Sequence, residues 1–327
     1  MTDTRFIAEL RRQRTPGHAA FPEYDATVVS PELPCGASWL ASCLLELGVP
    51  LCNPWGIDTR DQWKSLVGRR FRYECPGSGW SRLVPGLVHG REFVWRRSPV
   101  PCFTHSWPGW LPLTSRLVLF VRDPRDALRS DWLRKRRAGQ IDPDMDLHQF
   151  IESPAEGLPV SRRDALVLFL IAWCRVLERS AAALIVRFED YKSRPSATLD
   201  QALEFLDVAS SRRARDAALR ASDHARVVSA ERRLLAAGLV PTALLGEGRA
   251  FAWQHAPENE RITPDPAMAR VCRWLGYPVG EASGRSVPIP LERVRAALSR
   301  EDGADPDLLS IALEEAAEIV RDAQPRC

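Results

Sequence analysis

Short apolar runs alternate along the chain with stretches of helical periodicity. Four runs have the length and composition of buried strands, at residues 26–29, 101–105, 117–121 and 184–188. Apolar positions at helical spacing predict helices at residues 38–47, 163–179, 199–206, 212–235 and 264–275. Because strands alternate with helices, the sequence predicts an α/β fold with a central, mostly parallel sheet flanked by helices on both faces.

The pattern changes after Tyr277, where two amphipathic segments follow at residues 291–300 and 308–323. We therefore expect one domain at residues 1–277 and a helical C-terminal extension at residues 278–327. The extension would pack on the domain or on a second subunit, so a homodimer is one expectation. Residues 50–100 have little periodicity and are rich in Trp, Gly, Pro and Arg, which predicts loops that face a substrate.

The clearest junction between a strand and a helix lies at residues 117–130. Asp123 is placed as the N-cap, a proline takes the first helical position, and Asp126 puts a carboxylate in the first turn. Arg122 stands at the carboxyl end of the strand, where open α/β sheets bind ligands, and Ser130 returns to the same helix face. This arrangement predicts a phosphate site, and an ordinary junction with a solvated arginine is an equal alternative.

Charge and cysteine content narrow the classes of function. With 45 basic and 42 acidic residues the net charge is +3, so nothing demands a nucleic-acid partner. Only Lys64, Lys135 and Lys192 are lysines, and the arginines that supply the remaining positive charge favour bidentate contacts with anions. Eight cysteines without a C-x-x-C pair or zinc-ligand spacing predict a reduced, cytoplasmic protein with no metal site.

Neither a secretion signal nor a membrane span is predicted. The N-terminal residues lack the apolar segment of a signal peptide. The longest apolar run, residues 165–174, is shorter than the roughly 20 residues that cross a bilayer. It predicts a buried helix instead.

The segment RDPRD at residues 122–126, followed by Ser130, resembles the 3′-phosphate motif of the sulfotransferases that use 3′-phosphoadenosine 5′-phosphosulfate (PAPS), in particular those of the bacterial, cytosolic type. In that family the arginine and the serine eight residues later bind the 3′-phosphate, which implies these roles for Arg122 and Ser130. The resemblance covers roughly residues 25–277. It implies a three-layer, P-loop-type sulfotransferase fold, PAPS as the sulfuryl donor and a small molecule as the acceptor.

The segment LPCGASW at residues 33–39 resembles the family's 5′-phosphosulfate loop, P-K-S-G-T-T-W. A glycine allows close approach of the backbone to a phosphate, and successive N–H groups form an anion-binding nest. The resemblance implies that the donor is bound by Cys35, Gly36, Ala37, Ser38 and Trp39. Pro34 replaces the family's lysine, so another cation, an arginine or Lys64, would have to take its place.

Phe103-Thr104-His105 aligns with the family's K-T-H motif, in which the histidine is the general base. A neutral imidazole has a pKa near the working pH, so His105 could accept the proton of an acceptor hydroxyl. A structural histidine at the end of a strand is the alternative. The lysine of this motif is also missing, since Phe103 stands in its place.

Two further segments match the family less closely. Residues 186–191 resemble its strand ending in Y-E-D-L, which implies that Phe188 lies near the adenine, with core packing as an almost equal alternative. When Trp253 is aligned with the tryptophan of the family's R-K-G-x-x-G-x-W motif, Gly248 takes the first glycine position. The basic pair before it is absent, so Arg249 is the substitute cation that we expect.

Three functions remain open from the sequence. The first is a PAPS-dependent sulfotransferase that acts on a hydroxyl or amine of a small molecule, with His105 as base. The second is a catalytically impaired binding protein on the same scaffold, because both motif lysines are replaced. A P-loop kinase is the third, but it needs G-x-x-x-x-G-K-[ST], and no lysine follows a glycine in this chain.

Overall fold

The computed structural model describes residues 25–49, 51, 73–75, 80–82, 98–99, 101–108, 116–156, 158, 160–236, 246 and 248–279. The described strands, in chain order, are β1 (Ala26–Val29), β2 (Tyr73–Cys75), β3 (Trp80–Arg82), β4 (Pro101–Thr104), β5 (Arg116–Val121) and β6 (Ala182–Arg187). Four of them form a parallel sheet in the order β4-β1-β5-β6, and β2 pairs with β3 as a separate antiparallel ribbon. The predicted α/β fold with a parallel sheet is confirmed.

Helices follow or precede each strand of the main sheet. In chain order they are α1 (Ala37–Glu46), α2 (Pro124–Arg137), α3 (Leu147–Glu152), α4 (Arg162–Arg179), α5 (Phe188–Ser193), α6 (Pro195–Phe205), α7 (Arg212–Ala221), α8 (His224–Ala236) and α9 (Pro266–Trp274). Short 3-10 turns lie at Ala252–His255 and Glu258–Glu260. The predicted helical stretch at residues 212–235 is divided in two, because Asp223 accepts hydrogen bonds from the N–H groups of Ala225 and Arg226 and starts α8.

The sheet is buried on both faces, as β5 shows. Leu117, Leu119 and Val121 point into an apolar cluster formed with α2, α3, α4 and α9. Val118 and Phe120 point to the opposite side, into a second cluster formed with α1, α5, α6 and α7. This alternation explains why the strand is a continuous apolar run in the sequence, and it gives the three layers that the sequence predicts.

The register of the strands brings their carboxyl ends to one edge of the sheet. Val29 of β1 pairs with Thr104 of β4 on one side and with Leu119 of β5 on the other. After β1 the chain forms β4 on one side of it and then crosses to form β5 on the other side. Open α/β sheets bind ligands at such a reversal of strand order. His105 and Arg122 follow β4 and β5 at this edge.

Several predictions concern residues outside the described part of the chain. These include most of the loops at residues 50–100 and nearly all of the C-terminal extension, of which only Pro278 and Val279 are described. The domain boundary after residue 277 thus stays a prediction. Among the described residues, no helix is long and apolar enough to cross a membrane.

Candidate functional site

Arg122 lies at the centre of the candidate site and is buried, with 5% of its surface exposed. Its Nη1 donates hydrogen bonds to Ser130 Oγ at 2.8 Å and to the Pro34 carbonyl at 3.1 Å. Its Nη2 donates to the Arg249 carbonyl at 2.8 Å. The guanidinium therefore joins three segments that are distant in sequence, and the predicted pair of Arg122 and Ser130 is in direct contact.

Asp126 fixes the segment that carries Arg249. Its carboxylate accepts the N–H groups of Ala252 at 3.0 Å and Trp253 at 2.8 Å, and one oxygen lies 3.7 Å from Arg122 Nη2. Burial raises the pKa of Asp126, and the Arg122 guanidinium opposes this rise. The sequence predicts Asp126 only as a first-turn carboxylate of α2, whereas its partners lie more than 120 residues away.

Asp123 and Arg125 form a second buried pair beside the first. Asp123 caps α2 by accepting the Arg125 N–H at 3.0 Å, as predicted, and the two side chains form an ion pair at 2.6 Å. The indole N–H of Trp253 donates to Asp123 at 3.0 Å, and the Arg125 guanidinium lies 3.6 Å from the Trp253 ring centroid. Arg125 also donates to the Pro278 carbonyl at 2.6 Å, so the end of the described chain is held at this junction.

Glu189 completes the buried polar network. One oxygen accepts the Asp123 N–H at 3.1 Å and the other accepts the Tyr277 hydroxyl at 2.9 Å. Burial raises the pKa of Glu189, and these two hydrogen bonds oppose the rise. Glu189 therefore connects β6 and α5 to both the junction and the segment after α9.

The predicted 5′-phosphosulfate loop leads directly into α1. Gly36 is the N-cap residue and has a φ of +86°, which favours glycine. No side chain caps α1. The Trp39 N–H donates to the Gly36 carbonyl at 2.8 Å, and the N–H groups of Ala37 and Ser38 precede it at the helix start, where helices bind phosphates. Cys35 is buried, and burial raises the pKa of its thiol to about 12. Ser38 is exposed at the start of the helix.

Phe188 packs beneath this loop. A Cβ built on Gly36 would lie 2.6 Å from the Phe188 ring, so glycine is required here for space as well as for φ. The Arg122 guanidinium lies 4.3 Å from the centroid of the same ring, and Phe188 is 4% exposed. The structure thus places Phe188 in the packing of the site, and its predicted contact with adenine stays a prediction.

His105 follows β4 and is oriented by the backbone of β1. Its Nδ1 lies 2.9 Å from the Ser30 carbonyl and 3.2 Å from the Ser30 hydroxyl. A carbonyl only accepts, so Nδ1 carries the hydrogen, and Nε2 is the basic nitrogen of the neutral ring. The next residue, Ser106, is also fixed, because its carbonyl accepts a hydrogen bond from the Trp173 indole N–H at 3.1 Å. The orientation of the imidazole is therefore fixed by contacts of Nδ1 with Ser30.

The segment around Gly248, which is aligned with the family's R-K-G-x-x-G-x-W motif, packs against a residue that the sequence analysis did not identify. His224, the first residue of α8, donates from Nε2 to the Gly246 carbonyl at 3.1 Å. A Cβ built on Gly248, whose φ is +63°, would lie 2.6 Å from the same imidazole. Arg249 places its carbonyl on Arg122, while its side chain is exposed. No local motif identifies His224, because its partners are more than 20 residues away.

The structure brings most predicted site residues to one region. The contacts above join Gly36, Arg122, Ser130, Phe188 and Arg249. His105 lies on the other side of β1, at the same edge of the sheet. Lys64 is outside the described residues. Within the described part of the chain, no group of three or more His, Cys, Asp or Glu side chains is arranged to hold a metal ion.

Comparison with protein families gives a match for the middle of the chain. Residues 97–226 match the sulfotransferase domain family. This confirms the predicted resemblance for the segment that contains His105, Arg122, Ser130 and Phe188. The loop at residues 33–39 and the segment at residues 246–253 lie outside the match. No curated protein sequence matches the chain.

Solved structures with a related shape include the following two. One is the mouse sulfotransferase SULT7A1 complexed with PAP, with 15% identity and a TM-score of 0.43 over 70% of this chain and 72% of that chain. Another is retinol dehydratase in complex with androsterone and PAP, with 14% identity and a TM-score of 0.47 over 78% and 81% of the two chains. At these scores the likeness supports no conclusion about ligands.

Replacing Gly36 by alanine tests the packing of the loop on Phe188. We expect Gly36→Ala to lower the free energy of unfolding by more than the roughly 1–2 kcal/mol of a positive φ alone, because the new Cβ would overlap the ring. Gly139→Ala is the matched control, since Gly139 has a φ of +64° and no atom within 4 Å of an added Cβ. If urea unfolding shows the same loss of unfolding free energy for Gly36→Ala and Gly139→Ala, the close contact between Gly36 and Phe188 is contradicted.

Glu189 gives a prediction for the pH dependence of stability. Its folded pKa is raised, so its contribution to stability is present below the ordinary value of 4.5 and is lost as the pH rises through the folded pKa. Glu189→Gln keeps an acceptor for the Asp123 N–H and a donor for the Tyr277 oxygen without the charge. The variant should therefore gain stability relative to wild type as the pH rises from about 4.5 to 8.

The measurement is the free energy of urea unfolding of both proteins across this pH range. Glu189→Ala is the comparison, because it leaves two buried donors without an acceptor and should lose about 1–3 kcal/mol for each of them. A difference between wild type and Glu189→Gln that does not change with pH would show that Glu189 is not destabilised by burial.

Proposed function

We propose that the chain is a PAPS-dependent sulfotransferase that transfers a sulfuryl group to a hydroxyl or amine of a small molecule. The observation that carries the proposal is the placement of His105 and the Arg122–Ser130 pair at the same edge of a parallel sheet, on either side of β1. The match of residues 97–226 to the sulfotransferase domain supports the reaction class. PAPS is a substrate here, and no resident cofactor is required.

The proposed step moves one proton and one sulfuryl group. The acceptor oxygen or nitrogen attacks sulfur, the bond between sulfur and the bridging oxygen of the 5′-phosphate breaks, and adenosine 3′,5′-bisphosphate leaves. His105 Nε2 takes the proton of the acceptor. The hydrogen bond from Nδ1 to the Ser30 carbonyl supports this role, because it selects the tautomer that is basic at Nε2 and stabilises the imidazolium that forms.

The residues around Arg122 fit an anionic donor. Arg122 Nε is buried, and none of the described residues accepts a hydrogen bond from it. A buried donor without an acceptor is unfavourable, and a phosphate oxygen would satisfy it. Ser130 Oγ lies beside the same guanidinium, and the start of α1 presents N–H groups nearby. In the proposal, Arg122 and Ser130 bind the 3′-phosphate and residues 35–39 bind the 5′-phosphosulfate.

A catalytically impaired binding protein is the second candidate, and one observation favours it. Pro34 stands where the family has a lysine, and it supplies a carbonyl that accepts a hydrogen bond from Arg122. Phe103, which replaces the second lysine, is 2% exposed and packs in the core. Neither Pro34 nor Phe103 therefore supplies a cation at the position of the family's lysine. Loss of one such donor to the developing charge typically lowers a rate by about 10²–10³.

Donor binding and sulfuryl transfer are tested separately. We expect adenosine 3′,5′-bisphosphate to raise the melting temperature of the protein more than ATP does, because only the bisphosphate has a group for the Arg122–Ser130 pair. Ser130→Ala should weaken this binding about tenfold or more, the effect of one hydrogen bond to a charged group. Protection by ATP alone would instead favour a kinase, and no protection by either nucleotide would exclude the assigned donor site.

Transfer is followed with sulfur-labelled PAPS and a panel of phenols, alcohols and amines. With an accepted substrate, His105→Ala should lower the rate by about 10²–10⁴ while bisphosphate binding is unchanged. His148→Ala, at an exposed histidine of α3, is the matched control and should leave both unchanged. Bisphosphate binding with no transfer to any acceptor would favour the impaired binding protein.

A further inference from the structure

Lys192 lies on the face of α5 that is turned toward the candidate site. It is one helical turn after Phe188. The Phe188 ring packs against Gly36, and the Arg122 guanidinium lies 4.3 Å from the centroid of that ring. The Lys192 ammonium lies 5.8 Å from the centroid of the Tyr191 ring, and that ring stacks on Trp39 of the donor loop at 4.4 Å. Lys192 therefore lies next to the loop in which the family's lysine is missing.

This ammonium group has no direct protein partner in the described part of the chain. Its one close contact there is with the Tyr191 ring, and no hydrogen bond or ion pair is formed. Lys192 is half-buried, and burial lowers its pKa, while Asp223 opposes the shift and Arg122 adds repulsion. A partly buried ammonium that no protein oxygen engages can form a charge-assisted hydrogen bond with an anion that reaches it.

The two buried cations of the site, Arg122 and Arg125, are already engaged. Arg122 donates from both terminal nitrogens to protein oxygens, and the nearby carboxylate of Asp126 offsets its charge. Arg125 forms an ion pair with Asp123. A nucleoside bisphosphate carries several negative charges at neutral pH, so these pairs alone leave its charge largely unbalanced. Lys192 forms no ion pair with the described residues, and only the more distant charge of Asp223 acts against its own, so its ammonium can pair with an anion.

We infer that Lys192 is a donor-binding residue that contacts a phosphate of the nucleotide and supplies the positive charge that Pro34 does not. The inference rests on the proposed function, since it takes the donor to be a nucleoside bisphosphate bound between residues 35–39 and Arg122. Neither the loop motif nor the helix pattern of α5 identifies this residue. It follows from the contact of α5 with the loop.

The test is isothermal titration of the full chain with adenosine 3′,5′-bisphosphate. Lys192→Met keeps the aliphatic stem and removes the charge, and it should weaken binding about tenfold, as expected for loss of a charge-assisted hydrogen bond. Lys192→Arg keeps the charge and should recover at least half of the lost binding free energy. Lys135→Met is the matched control, because Lys135 lies in the last turn of α2 and has no assigned contact with the donor.

Melting temperatures without ligand show whether each variant is folded. Equal affinities of Lys192→Met and Lys135→Met for the bisphosphate would overturn the role of Lys192 and leave the proposed function intact. Equal weakening in Lys192→Met and Lys192→Arg would also overturn it, because charge would then not be the cause. Failure of the wild-type protein to bind the bisphosphate would reject the proposed donor, and the inference about Lys192 with it.

Discussion

The structure depends on four charged residues within one five-residue segment, 122–126, that are buried at a junction between a strand and a helix. Arg122, Asp123, Arg125 and Asp126 are each at most 5% exposed. Burial of a charge is unfavourable unless it is paired and hydrogen-bonded, and here the pairs alone do not satisfy every group. Further partners come from distant segments, among them Pro34, Glu189, residues 249–253 and Pro278. The chain must therefore bring its distant C-terminal segments to β5 before the junction is stable.

This requirement couples the candidate site to folding. The same contacts that satisfy the charges also place the carbonyls of Arg249 and Pro34 on Arg122 and the Trp253 indole on Asp123 and Arg125. A change that disturbs the site will consequently reduce stability, and removal of a charged member leaves its partner buried and unpaired. Ser130 and His105 are partly exposed and lie at the edge of the network, so binding and catalysis can be examined there without loss of the fold.

Local patterns predict the four strands of the main sheet and most of its helices, but they do not predict β2, β3 and α3, nor the contacts between elements. Apolar runs identify the strands because a parallel sheet is buried on both faces, and the Asp-Pro pair identifies the start of α2. The role of Asp126 as acceptor for Ala252 and Trp253 leaves no trace in the spacing of either segment. The same holds for the contacts of His224 with Gly248 and of Gly36 with Phe188. These contacts result from the packing of the layers against each other, and the spacing of apolar residues along the sequence does not predict them.

The two halves of the proposed chemistry are supported by different parts of the molecule. Proton acceptance depends on a histidine that the β1 backbone orients, and a backbone carbonyl cannot be lost by substitution of a side chain. In the proposal, charge stabilisation depends on the Arg122–Ser130 pair, which matches the family pattern, on the loop at residues 33–39, where Pro34 departs from it, and on Lys192 of α5. If the site turns over PAPS, the rate will consequently be limited by how well cations outside that pattern stabilise the departing phosphate, and not by the base.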